Sequence, residues 1–202
     1  DVRELDPYVP GEQPKIQNIL KLNTNEDPYP PSPNIVAAVQ AVLENSADAL
    51  RLYPDPDATA LKQAIAKQQN VDVENVFVGN GSDEVLAHIF KAFFVQEKPI
   101  LYPDITYSFY PVYSQFFGIA EKTKILPLND DFEIEVNDYK QPNGGIIITN
   151  PNAPTSIALG LSAIEEVLQA NPDSVVLIDE AYVDFGAESA VGLVEKYDNL
   201  VV

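Results

Sequence analysis

The chain has no cysteine and no methionine, a single histidine, and far fewer basic than acidic residues. Without cysteine, neither a disulfide nor a thiolate metal site can form. His88 has no second histidine and no cysteine to complete a ligand set, so no metal site is expected, and His88 reads as a packing or surface residue on a helix. Twelve Lys and Arg against 31 Asp and Glu leave a net charge of −19. A chain so charged repels nucleic acid and anionic membrane, and no local cluster of Lys or Arg reverses this. The acidity reads as a solubility feature. No apolar run approaches the length of a membrane span, and no signal peptide is visible; a cytoplasmic protein is the expectation. The chain opens at Asp1 without any methionine and closes at Asn199-Leu200-Val201-Val202, which reads as a strand, so it is expected to be part of a longer protein.

What is present is ordinary core-forming material: 46% of the 202 residues are hydrophobic, with ten Tyr and nine Phe. The proline-rich segment up to Pro33 reads as an extended arm. Ile35 to Leu43 shows helical apolar spacing, with Ser32-Pro33-Asn34 as its start. Ala58 to Gln69 reads as a second helix. Strands and helices then alternate. Strands are expected at 76–78, 99–102, 122–126, 145–149, 174–178 and 199–202, and helices at 82–94, 107–117 and 161–170. Ser162, with Glu165 three residues on, reads as a capping box for the last helix. The pattern predicts an α/β fold, a mostly parallel sheet covered on both faces in three layers. Ligands of such sheets sit beyond the carboxyl ends of the strands.

Three expected strand ends carry unusual polar residues. Gly79-Asn80-Gly81-Ser82-Asp83-Glu84 leads into a helix whose first N–H groups suit a phosphate, with the Ser82 hydroxyl as a further donor. The same residues also fit a plain well-capped helix. Thr149-Asn150-Pro151-Asn152-Ala153-Pro154-Thr155 is a rigid loop on the ligand edge, or an ordinary Asn-Pro turn. Asp179-Glu180-Ala181-Tyr182 closes an apolar strand. A carboxylate there needs a partner, and a protonated pyridine nitrogen is one, since the ionised acid strengthens the ring as an electron sink. An internal ion pair, a cap or a metal are the other readings of Asp179. Nucleotide hydrolases also place Asp-Glu after a strand, but they require a Gly-Lys-Ser/Thr loop, which this sequence lacks.

These motifs, in this order, resemble the fold-type-I pyridoxal 5′-phosphate (PLP) enzymes, and within them the histidinol-phosphate aminotransferase family. The resemblance also rests on Leu22-Asn23-Thr24-Asn25-Glu26-Asp27-Pro28-Tyr29-Pro30, Arg51-Leu52-Tyr53-Pro54 and Pro103-Asp104-Ile105-Thr106-Tyr107. It implies residues 1–45 as an arm and first helix serving a small domain and dimer contacts, and residues 46–202 as an incomplete PLP-binding large domain. It implies Ser82 and Asp83 at the cofactor phosphate, Tyr107 stacked on the ring, Asp179 on the ring nitrogen and Tyr182 on the phenolic oxygen. Tyr53 would reach the phosphate of the neighbouring subunit in a homodimer, and Tyr8 and Asn25 would approach the substrate. The implied reaction is transamination between histidinol phosphate and 2-oxoglutarate in histidine biosynthesis. A related aromatic aminotransferase and a PLP decarboxylase remain alternatives.

Two departures qualify this. The family commonly reads Asn-Asn-Pro-Thr-Gly; here Ala153 stands where the Asn before Pro would touch the cofactor, and Ser156 replaces Gly. Asn152 is expected to take over from one residue away. The family's catalytic lysine is expected beyond Val202. The 202 residues on their own are therefore expected to be inactive, a PLP-binding or dimerising module.

Overall fold

Three consecutive isoleucines, Ile146-Ile147-Ile148, leave a strand no polar face to turn toward water, so both faces must be covered. The computed structural model, which describes residues 11–202, places them in the middle of a five-stranded sheet. The strands are β1 (Ile100–Pro103), β2 (Thr123–Leu126), β3 (Gly145–Thr149), β4 (Val176–Asp179) and β5 (Leu200–Val201). Their spatial order is β2-β1-β3-β4-β5, and all neighbouring pairs are parallel. The helices are α1 (Pro33–Ser46), α2 (Thr59–Gln69), α3 (Gly81–Ile89), α4 (Phe109–Phe116) and α5 (Leu161–Ala170). A single π-helical turn, Phe90–Phe94, continues α3.

Side chains alternate across the sheet. Ile146, Ile148, Val176 and Ile178 pack on one side with Ile164, Val167 and Leu168 of α5. Those helical residues lie at positions i, i+3 and i+4, one stripe of a helix. Ile147, Ile100, Tyr102 and Leu177 pack on the other side with Phe90, Phe94, Tyr110 and Tyr113. Helix, sheet and helix make the three layers that the apolar strands demand. Among the described residues no helix is long and apolar enough to cross a membrane.

Two local expectations are corrected. Val76-Phe77-Val78 is extended but not a strand; it has no ladder partner among the described residues, and Phe77 is exposed. Its ring meets His88 edge-on at 5.6 Å, which gives that histidine a packing contact. Ser162 is not a cap. Helix α5 begins at Leu161, so Gly160 holds the cap position, and its carbonyl accepts from the N–H groups of Ala163 (3.0 Å) and Ile164 (3.1 Å). Glu165 is drawn outward to the Lys196 ammonium and the Tyr197 hydroxyl.

Three asparagines fasten the amino-terminal edge of the sheet. Asn171 Oδ1 accepts from Asn143 Nδ2 (2.7 Å), and Asn171 Nδ2 donates to the carbonyls of Val167 (2.8 Å) and Tyr139 (3.1 Å). Asn199 Nδ2 donates to the Asn171 carbonyl (2.9 Å). These residues stand just before β3, β4 and β5, so one clasp ties three strand entries together. Asn171→Ala would remove the side-chain donor to two buried carbonyls and leave the Asn143 amide with the Gln141 carbonyl (2.8 Å) alone. A loss of about 2 kcal/mol in chemical unfolding is expected; an unchanged midpoint would show that the clasp contributes nothing.

The described chain divides into two compact units that part after Thr59, whereas the sequence suggested a boundary at 45/46. In the unit ending there, α1 starts as expected, with Ser32 Oγ accepting from the Asn34 N–H. The apolar residues Ile35, Val36, Val39, Val42 and Leu43 of α1 are exposed.

Candidate functional site

The chain leaves β1 outward to β2, then returns past β1 to lay down β3 on its other side. That reversal opens a crevice between the carboxyl ends of β1 and β3, the usual ligand position of such sheets. The loops that meet there are joined: Asn152 Nδ2 donates to the Ile105 carbonyl (2.8 Å), and Thr106 Oγ1 lies 3.2 Å from Thr149 Oγ1. Register then sets the rest. Thr149 is paired with Asp179 across β3 and β4, so the strand-end carboxylate stands next to the crevice.

Asp179 is buried. Its Oδ2 accepts from the Tyr110 hydroxyl at 2.6 Å and its Oδ1 from the Ala181 N–H at 3.2 Å. No Lys or Arg forms an ion pair with it among the described residues. A buried carboxylate held only by neutral donors is electrostatically incomplete, and a cationic ring N–H would complete it. Neighbouring Glu180 is occupied otherwise. It accepts from the Ser189 hydroxyl and the Ala190 N–H, both at 2.6 Å, and so fastens the turn at 190–193. Burial pushes its carboxyl up, against the pull of those two donors. Of the Asp-Glu pair, Asp179 ends its strand beside Thr149 and Glu180 is bonded into the following turn.

The glycine-rich turn before α3 forms as a helix start. Asn80 is the cap position of α3, Ser82 and Asp83 lie in its first turn, and both are exposed. Gly81 has φ +80°, a backbone conformation that a side chain resists. The Glu84 carboxylate accepts from the Asn80 N–H at 2.5 Å and so occupies one donor of the turn.

Asp83 does something the motif did not suggest. Its Oδ1 accepts from the Tyr107 hydroxyl at 2.8 Å and its carbonyl from the Tyr113 hydroxyl at 2.7 Å. Its side chain therefore steadies Tyr107. Burial, and then the charges of Asp83 and Asp179, push the Tyr113 hydroxyl up to about 12. Tyr107 packs edge-on against Tyr110, with centroids 5.5 Å apart. Ser82, Asp83, Tyr107, Asn152 and Asp179 thus belong to neighbouring loops at one end of the sheet, and Tyr182, half-buried, opens the turn after β4.

Asn152 is buried with its amide nitrogen spent on Ile105 and Thr155, while its Oδ1 has no partner. Its visible work is to join two loops. Asn150 also serves the loop, exchanging two hydrogen bonds with the backbone of Leu159. The peptides before Pro151 and Pro154 are cis. Ser156, where glycine was the common residue, has φ +61°, which accounts for glycine being favoured there. Tyr53, fully exposed, and Asn25, exposed, belong to the other compact unit, and Tyr8 lies outside the described residues.

Sequence reasoning missed Tyr110 and Thr149. Tyr110 is completely buried and its partners are distant in the chain. The available signal was a pair of tyrosines, Tyr110 and Tyr113, on the apolar face of one helix, where buried hydroxyls need partners.

A family model described as aminotransferase class I and II matches residues 17–202. The histidinol-phosphate aminotransferase of Acinetobacter baumannii (strain SDF) is 81% identical over 202 residues, covering 100% of this chain and 55% of that protein. The protein of the same name from Acinetobacter baylyi (strain ATCC 33305 / BD413 / ADP1) is 77% identical over the same 202 residues, again with 55% of it covered. The chain thus spans about half the length of the curated relatives it matches. Among solved structures, the histidinol-phosphate aminotransferase from Sinorhizobium meliloti in complex with pyridoxal-5′-phosphate aligns with a TM-score of 0.67 at 22% identity, covering 80% of this chain and 44% of that one. At that identity the likeness shows a shared fold.

Proposed function

Since the chain belongs to the aminotransferase class I and II family, we propose that it supplies the PLP-binding part of a histidinol-phosphate aminotransferase. The reaction would move the amino group between histidinol phosphate and 2-oxoglutarate in histidine biosynthesis, in the cytoplasm. The observation that carries this reading is the 81% identity, along the whole chain, to a relative of that name.

The residues fit the cofactor in kind. Asp179 offers the buried anion that a protonated ring nitrogen requires, and Tyr110 and the Ala181 N–H fix its orientation. Tyr107, steadied by Asp83, offers an aromatic face for stacking. Ser82 and the free N–H groups of the first turn of α3 offer a phosphate cradle. Tyr182 would donate to the phenolic oxygen, and Asn152 would hold the adjoining loop against Ile105. When bound, PLP supplies an electron sink for the carbanion formed at the substrate Cα. The protein's part is to orient the ring, keep its nitrogen protonated and exclude water from beneath it. Residues 46–202 would form this part of the large domain, and residues 1–45 would serve the small domain and dimer contacts. Within a homodimer, Tyr53 would reach the neighbouring subunit's phosphate, and Tyr8 and Asn25 would face the substrate. The lysine that anchors the cofactor and moves the Cα proton would lie in the part of the relatives' length that this chain does not span.

The test is a substrate comparison with the full-length protein. Histidinol phosphate with 2-oxoglutarate is expected to give a kcat/KM about 10⁴-fold above that of phenylalanine, the scale on which a buried polar match discriminates. A preference for phenylalanine, or turnover of neither donor, would overturn the assignment.

A further inference from the structure

We infer that Tyr110, Thr149 and Thr106 form a one-way relay of hydroxyl hydrogen bonds that holds Asp179 correctly turned, making all three positioning residues for the carboxylate beneath the ring. The inference rests on the cofactor assignment proposed above; it adds Tyr110, which lies in no motif, and gives Thr106 and Thr149 a role that their motifs did not assign.

Counting protons fixes the direction. An ionised carboxylate only accepts, so Tyr110 spends its one hydroxyl proton on Asp179 Oδ2, at 2.6 Å. The 2.7 Å contact between the Tyr110 and Thr149 hydroxyls must then have Thr149 as donor. Thr149 has no second proton, so the 3.2 Å contact with Thr106 must have Thr106 as donor. Every O–H dipole in the series points toward Asp179. Aligned bonds of this kind reinforce one another away from water, and Tyr110 and Thr149 are both buried. Burial first, and then the Asp179 charge, hold the Tyr110 hydroxyl well above its ordinary value, so it remains a donor.

Packing alone does not require these hydroxyls. Tyr110 sits among Phe90, Tyr102 and Tyr107, a setting that a phenylalanine ring would fill as well. A buried hydroxyl is unfavourable unless it is bonded, and the bond it makes is to Asp179. The far end of the relay is Thr106, directly before Tyr107. The loop that carries the stacking ring is thereby tied to the group that pairs with the ring nitrogen.

The consequence is a defined protonation state. The donors on Asp179 fix how its carboxylate faces the ring nitrogen, so the hydrogen bond that holds the proton there is well aligned. Removing the relay lets the carboxylate turn and weakens that bond. The experiment is to load the full-length protein with PLP carrying a 15N ring nitrogen and to read that nitrogen by NMR at neutral pH. Wild type is expected to show a protonated ring nitrogen. Tyr110→Phe is expected to shift the signal measurably toward the unprotonated value and to lower kcat roughly tenfold, with KM changed less than about twofold. Thr149→Val is expected to do the same more weakly, and Thr149→Ser, which keeps the hydroxyl, to behave as wild type. An unshifted ring nitrogen in both Tyr110→Phe and Thr149→Val, or equal shifts in Thr149→Val and Thr149→Ser, would overturn the relay. A wild-type protein that takes up no PLP would instead overturn the cofactor assignment beneath it.

Discussion

Asp179→Asn in the full-length protein is expected to lower transamination of histidinol phosphate about 10³-fold without lowering thermal stability. The rate effect follows from losing a buried charge opposite a cationic ring nitrogen, a change worth about 3–5 kcal/mol when one partner is removed. The stability effect has the opposite tendency. In the protein without cofactor, Asp179 is a buried carboxylate served by two neutral donors, Tyr110 and the Ala181 N–H. An amide of the same shape removes the desolvated charge and keeps one oxygen for one of those donors. The thermal midpoint of the cofactor-free protein should therefore stay level or rise. Activity down with stability unchanged is the signature of a group held in place for chemistry. Steady-state kinetics and a thermal melt on the same preparation decide it. Near-normal turnover would remove Asp179 from the site, and a collapse of both would make it a structural residue.

The strand-end residues were legible because a parallel sheet forces them into one place. Asp179 and Thr149 end adjacent strands in register, and any reading that finds β3 and β4 places the two residues side by side. The glycine-rich start of α3 is local in the same way, since Gly81 and Ser82 act through the backbone beside them. What the sequence concealed was long-range pairing of side chains. Tyr110 meets Asp179 across 69 positions, and nothing near Tyr110 distinguishes it from a core aromatic. Asn143, Asn171 and Asn199 each resembled a loop residue before a strand; only the assembled edge shows that they bond to one another. The capping box at Ser162 failed for a related reason. Glu165 has a better partner in Lys196, on a turn that sequence proximity does not reveal. The missing strand at Val76-Phe77-Val78 shows the same limit from the other side: composition can favour an extended chain, but only a neighbour makes it a strand. The bond from the Tyr107 hydroxyl to the Asp83 carboxylate spans 24 positions and was concealed in the same way.

Gly145→Ala is expected to be the most destabilising single-methyl change in the sheet, at about 3 kcal/mol, with a fall of several degrees in the thermal midpoint. A Cβ at Gly145 would lie 2.4 Å from Phe94 Cε1 and 2.6 Å from Phe94 Cδ1, far inside any normal contact. Neither side can move away easily. Gly145 is the first residue of the central strand β3, locked between β1 and β4. Phe94 is fully buried and packs edge-on against Phe90 at 5.4 Å. Two further variants separate this clash from a general effect of losing glycine. Gly192→Ala, where an added Cβ meets nothing within 4 Å, should be close to neutral. Phe94→Leu removes the edge of the ring, so Gly145→Ala combined with Phe94→Leu should be less destabilised than the sum of the two single changes. Strict additivity in that cycle would show that the methyl and the ring do not compete for the same space. A positive coupling of about 1 kcal/mol or more would show that β3 sits close to the layer of α3 because residue 145 has no side chain.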